Sequence, residues 1–230
     1  MKRIRKSFIA SMCLLIAFAI WTAVICLVDV RPIGPRGSSV GLAGINGFIH
    51  KLTGVHWWLY HITDWLGLIP IFVCMCFGIF GLVQWIKRKS IRKVDRDIFV
   101  LGGFYIVTFV AYLFFESVII NYIPILIGGS LEASYPSSTT MLVMCVMPTA
   151  MMQLRSRIKN KILRNFVSIT VIVYITFMII GRIISGVHWF SDIVGGALLS
   201  TGLVILYRAI TGLVGSVRTD DILLCDKKKA

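Results

Sequence analysis

The chain has 230 residues, of which 57% are hydrophobic and 15% charged, and its formal net charge is +14. No polar stretch is long enough to build a separate soluble domain, so the composition is that of an integral membrane protein. The positive charge does not point to nucleic acid, because Lys and Arg lie in short clusters beside apolar runs, the arrangement that sets membrane topology.

The first apolar run covers residues 7–28 and follows a basic start. It resembles a signal peptide, but no small-x-small cleavage pattern precedes Asp29, so a retained signal anchor is expected. Further uncharged runs cover 65–86, 98–115 (extending to 122 past Glu116), 133–154, 165–181 and 193–207. A helix needs about 20 residues to cross the hydrocarbon core. The last two runs are short, and Arg182 and Arg208 are expected to snorkel at their ends. The expected fold is all-α, a polytopic membrane bundle of six transmembrane helices in one domain. Residues 1–64 form the anchor and an interfacial segment, 65–213 the core spans, and 214–230 a cytoplasmic tail.

Of the 24 Lys and Arg residues, 20 fall in the N-terminus, in the connections at 87–96 and 155–164, and beyond 207. The positive-inside rule then places both termini in the cytoplasm. The opposite face carries three connections. The first has a Gly/Pro-rich start at 31–37, and its second half, 40–60, contains His50, His56, Trp57, Trp58 and Tyr60, followed by His61. That suits one helix lying in the interface with an aromatic belt. The other two connections are residues 123–134 and the segment around His188.

The remaining features have structural readings. The six cysteines are expected as free thiols, and Cys74 and Cys76 point to different helix faces. His56, His61 and Asp64 have a loose metal-ligand spacing, but interfacial packing is the reading, and no metal or cofactor is expected. Met141, Met144, Met147 and Met151 form a helical stripe that suits packing. Gly195-Gly196 suits a close helix approach.

The segment 181–192 carries the chemistry. Arg182, His188 and Asp192 are ionisable groups at a membrane edge, where their cost argues for function. An imidazole attacks phosphorus or accepts a proton, a carboxylate orients it, and a guanidinium clamps phosphate oxygens. Upstream, Pro136 followed by Ser137-Ser138-Thr139-Thr140 reads as a helix start with hydroxyl caps, whose free N–H groups suit an anion. Bland readings stand beside these: an interfacial His188 packed by its aromatic neighbours, a snorkelling Arg182, and a plain helix cap.

Arg182-x5-His188-x3-Asp192, with Ser185-Gly186 inside it, resembles the third signature motif of the membrane phosphatidic acid phosphatase type 2 family, relatives of the vanadium haloperoxidases. Tyr135-Pro136-Ser137-Ser138-Thr139 sits where that family carries Pro-Ser-Gly-His. Residues 116–124 have the spacing of its Lys-x6-Arg-Pro motif. The resemblance implies a six-span fold with an outward-facing site in the plasma membrane, acting on a lipid phosphate or diphosphate. It implies His188 as nucleophile, Asp192 as its orienting partner, and Arg182 and Ser137 as phosphate ligands with the amide of Ser138. Ser138 and Thr139 fall in the phosphate-binding segment. The departures are Glu116 and Ile123 for the first motif's Lys and Arg, Ser138 for the second motif's glycine, and Thr139 for that motif's histidine, which protonates the leaving group. Threonine is no general acid near neutral pH, and losing that role costs ~10²–10⁴-fold in rate. Two functions follow: a phosphatase whose activity favours diphosphates, which leave more easily, or a weak relative that binds lipid phosphates or partner proteins without turnover. Glu116 is expected to face the bundle interior or the outer interface and to pair with Arg182.

Overall fold

The computed structural model describes the backbone of residues 2–227 and the side chains of residues 2–215. The helices in chain order are α1 (Lys2–Leu27), α2 (Ala43–Thr53), α3 (Trp57–Leu66), α4 (Leu68–Arg88), α5 (Arg96–Ser117), α6 (Ser138–Arg157), α7 (Lys161–Ser185) and α8 (Phe190–Lys227). Helices are what uncharged runs must form in lipid, where every backbone polar group needs a partner within the segment. Among the described residues, extended structure is limited to isolated bridges, such as Tyr122 with Ala133.

Five segments are long and apolar enough to cross a membrane: Lys2–Leu27, Trp57–Arg88, Arg96–Ser117, Lys161–Ser185 and Phe190–Gly215. The remaining long helix, α6, differs for a physical reason. It packs against α4, α5, α7 and α8, and nine of its 20 residues are buried. A helix enclosed by other helices needs no lipid-facing apolar surface. It therefore tolerates Ser138, Thr139, Thr140, Thr149 and Gln153. Helix α1, by contrast, buries only Ser11, Phe18 and Ile25.

Helices α1 and α8 lie antiparallel. Ser11 Oγ donates to the Gly202 carbonyl at 2.8 Å, and Trp21 Nε1 to the Ser191 carbonyl at 3.1 Å. The main core joins Phe18, Leu101, Phe104, Tyr135, Met141, Leu199 and Tyr207. A second cluster of Val143, Met147, Val171 and Met178 sits on the other side of α6. Of the methionine stripe, Met141 packs in the first cluster and Met147 and Met151 in the second.

Several boundaries depart from the sequence reading. Helix α5 ends at Ser117 and does not reach 122. Helix α6 starts at Ser138, not at 133, because the residue before Pro136 is pushed out of helical conformation. The last two spans are not short, at 25 and 26 residues. The interfacial segment is two helices, broken at residues 54–56, and α3 runs into α4 as one span from Trp57. Gly54 and Gly186 both sit at φ +67, and a Cβ on Gly186 would lie 1.9 Å from the Gly54 carbonyl oxygen. The break is therefore where the α2–α3 link seats on the end of α7, and the His56 N–H donates to the Ser185 carbonyl at 3.0 Å. The expected tail at 214–230 is helical through Lys227. The Cys225 thiol and residues 228–230 lie outside the described portion.

Candidate active site

The ends of α1, α5 and α7 and the starts of α6 and α8 gather at one end of the bundle, with α2 and α3 beside them. His188 lies in the short link between α7 and α8, half-buried. Asp192 lies in the first turn of α8 and is fully buried. A buried carboxylate must be hydrogen-bonded to be tolerated, and this one is bonded on both oxygens. Oδ1 accepts from Asn121 Nδ2 at 3.1 Å and from Ser191 Oγ at 3.5 Å. Oδ2 accepts from the Trp189 N–H at 3.0 Å and from the Ser134 hydroxyl in a short contact.

Asp192 does not touch His188 directly, contrary to the simplest reading of the spacing. The link is Ser134, whose Oγ lies 3.3 Å from His188 Nδ1. A serine hydroxyl has one proton and two lone pairs. With its proton given to Asp192, Ser134 can only accept from Nδ1–H. The imidazole is then the tautomer with a free lone pair on Nε2, the form a nucleophile requires. Burial pushes the His188 pKa down to about 3, the Arg182 charge adds to the effect, and a hydrogen bond with the Ser134 main chain opposes it.

Arg182 occupies the last turn of α7 and is only 4% exposed, so it does not snorkel. Its Nη2 donates to Thr139 Oγ1 at 2.7 Å, and its Nη1 to Thr63 Oγ1 at 3.4 Å. The Asp64 carboxylate stands 3.9 Å from Nη2. The guanidinium lies 5.4 Å from the Tyr60 ring centre, and its Nε is buried without a partner.

Ser137 is buried and precedes the first turn of α6. Its hydroxyl does not cap the helix; it accepts from Thr140 Oγ1 at 3.1 Å. Its N–H donates to the Asp192 carbonyl at 3.1 Å, and the helical ladder begins when Met141 N–H reaches the Ser137 carbonyl. The N–H groups of Ser138, Thr139 and Thr140 precede that ladder. The glycine pair holds this helix start against α8. A Cβ on Gly195 would lie 2.4 Å from the Tyr135 ring, and one on Gly196 would lie 3.2 Å from the Ser137 carbonyl oxygen. All three motif segments thus meet through direct contacts, and Ser137, Ser138, Thr139, Arg182, His188 and Asp192 lie in one neighbourhood.

Glu116 does not pair with Arg182. It is exposed and borders a narrow crevice with Ser134 and Ser138. The reason is packing: α5 lies against α4, α6 and α8, whereas α3 packs on α7 and brings Asp64 to the arginine. Ile123 is buried at 2% exposure, so an apolar side chain fills the place of the family's guanidinium. His61 belongs to an aromatic group with Trp57 and Tyr60.

Sequence reasoning missed Ser134, Asn121 and Thr63. Asp64 was noticed only for its spacing from two histidines. A cavity of about 410 Å³ begins at Asp64, Ser138 and Thr139. It descends between α4, α5 and α6 past Leu68, Ile71, Phe109 and Leu142.

The PAP2 superfamily model matches residues 99–214. No curated protein matches the chain. The crystal structure of the first transmembrane PAP2 type phosphatidylglycerolphosphate phosphatase from Bacillus subtilis is similar, with a TM-score of 0.60 at 20% identity, over 89% of this chain and 96% of that one. At that identity the likeness is one of fold. With half of its length matched by the family model and the third motif in place, the chain belongs to the PAP2 superfamily.

Proposed function

We propose that this protein is an integral membrane phosphatase that hydrolyses a lipid phosphate or lipid diphosphate at the outer face, with His188 as nucleophile. The observation that carries the reading is the chain Asp192–Ser134–His188, which leaves Nε2 free beside a buried arginine with an unpartnered nitrogen. Nε2 attacks phosphorus, the bond to the leaving oxygen breaks, and water then hydrolyses the phosphohistidine. Arg182 and the first N–H groups of α6 bind the phosphoryl oxygens. The apolar cavity below Thr139 receives a hydrocarbon chain of the substrate. The likeness to a phosphatidylglycerolphosphate phosphatase supports phosphatidylglycerol phosphate as one substrate to try.

In this reading α6 is the sixth crossing, both termini are cytoplasmic, and the site opens outside the plasma membrane. The support is the basic connections at 87–96 and 155–164, which lie at the end opposite His188. A cysteine placed at Arg92 should resist an impermeant reagent in intact cells; labelling from outside would reverse the orientation.

A second reading, lipid-phosphate binding without turnover, is favoured by Thr139, whose hydroxyl is engaged with Arg182. The two are separated by phosphate release from phosphatidic acid, phosphatidylglycerol phosphate and a polyprenyl diphosphate, using purified protein and His188→Ala. Release that depends on His188 supports the phosphatase. Release that persists in His188→Ala contradicts it. Binding of these lipids without release from any of them selects the second reading.

A further inference from the structure

The superfamily's leaving-group acid is a histidine at the position of Thr139, and Thr139 cannot take that role. A replacement must come from elsewhere in the fold. It must reach the space beside Thr139, and it must exchange protons with water. His50 fails the first test, since its ring packs on Trp189 rather than beside Thr139. His61 stacks within the aromatic group of α3, and Glu116 borders a separate crevice that Thr139 and Arg182 do not line. Tyr105 and Tyr112 line the cavity of about 410 Å³ from α5, among apolar side chains such as Leu68, Ile71 and Phe109.

Asp64 meets both requirements. Its carboxylate and the Thr139 hydroxyl face the same nitrogen, Arg182 Nη2, at 3.9 and 2.7 Å. The two side chains also line the mouth of the same cavity, together with Ser138. Asp64 is 56% exposed at its side chain, so water can reload it. Arg182 itself is fixed by the hydroxyls of Thr63 and Thr139, with Asp64 at a longer distance, so the carboxyl group is not committed to a tight ion pair.

We propose that Asp64 is the catalytic acid and base that replaces the missing histidine; this rests on the phosphatase reading. In the first step His188 Nε2 bonds to phosphorus while the bond to the leaving oxygen breaks. Asp64, protonated from water before this step, gives its carboxyl proton to that oxygen. In the second step water attacks the phosphohistidine and the P–N bond breaks. The Asp64 carboxylate takes the water's proton, which restores the starting state and releases phosphate. A consequence is that Thr139 no longer commits the enzyme to diphosphates, because a proton donor is present for an alkoxide leaving group.

The test compares two leaving groups in purified full-length protein. The leaving group of phosphatidic acid is the diacylglycerol alkoxide, which needs the proton; that of p-nitrophenyl phosphate is a stabilised phenolate, which needs it far less. Asp64→Asn is expected to lose ~10²-fold or more on phosphatidic acid and much less on the aryl phosphate. Thr139→His added to Asp64→Asn should recover the lipid substrate, and Asp64→Glu should keep part of the activity. The aryl phosphate reports folding within the same sample. An equal loss on both substrates would make Asp64 only a partner of Arg182 and overturn the proposal, as would no loss on either. A wild-type protein whose release does not depend on His188 would overturn the underlying reading instead.

Discussion

The two halves of the site are built differently. On one side, Asp192 has both oxygens occupied, Asn121 and Ser134 are buried, and the group is tied to α2 through Asn46 and Ser191. On the other side, Arg182 is held by two hydroxyls, keeps an unpartnered Nε, and meets its carboxylate only at 3.9 Å. The closed half fixes one tautomer and one ring orientation. The open half leaves hydrogen-bonding capacity for something that arrives. In the proposed reaction the closed half supplies a preorganised nucleophile and the open half an unsatisfied cation.

Breaking the closed half should cost most. Asp192→Asn keeps the volume but turns an acceptor toward Asn121 and Ser134 into a partial donor. Activity should fall by roughly 10³–10⁴-fold, as when an orienting carboxylate is lost beside a catalytic histidine. Phosphate release measures it; a loss below tenfold would mean that His188 does not depend on this network. Gly195→Ala comes next. Its Cβ would meet the Tyr135 ring at 2.4 Å, so this buried ring, just before α6, must shift, at about 1–3 kcal/mol of stability. Thermal unfolding in detergent should fall, and phosphate affinity should weaken with it.

Ser134→Ala removes only the bridge. It should cost about 1–3 kcal/mol through the buried acceptor left on Asp192. Its diagnostic effect is on kcat rather than KM, because Arg182 and the α6 amides are untouched. An unchanged kcat would break the claim that Asp192 acts through Ser134.

The last effect concerns pH. His188 has a folded-state pKa near 3, set first by burial and then by Arg182. Its unfolded value is about 6.5. Between these values the unfolded chain binds the extra proton and the folded one does not. Stability from this group is therefore full above about 6.5 and is lost as pH falls toward 3. His188→Gln should flatten the stability profile in that window. An unchanged slope would mean that His188 does not titrate as its surroundings require.

The spans were legible because charge is expensive in lipid and leaves clear gaps between apolar runs. Their ends were less legible. The break at Gly54 depends on contact with Gly186, 132 residues later in the chain by number. Arg182, His188 and Asp192 were legible because their spacing is local to one helix end and one short link. Ser134, Asn121 and Thr63 were not, since serine, asparagine and threonine carry no spacing signal and their partners come from other helices. Glu116 illustrates the limit. Its charge suggested a partner, but the order in which α3 and α5 pack around α6 and α7 gives Arg182 to Asp64.

The most direct measurement of the central claim is capture of the intermediate. The protein is mixed with a lipid substrate labelled with ³²P in its terminal phosphate and quenched in alkali. The account predicts label on the peptide containing His188, stable in alkali and lost in acid, as a phosphohistidine is. His188→Ala should carry none. Phosphate release by the wild type with no labelled peptide, or label that persists in His188→Ala, would contradict it.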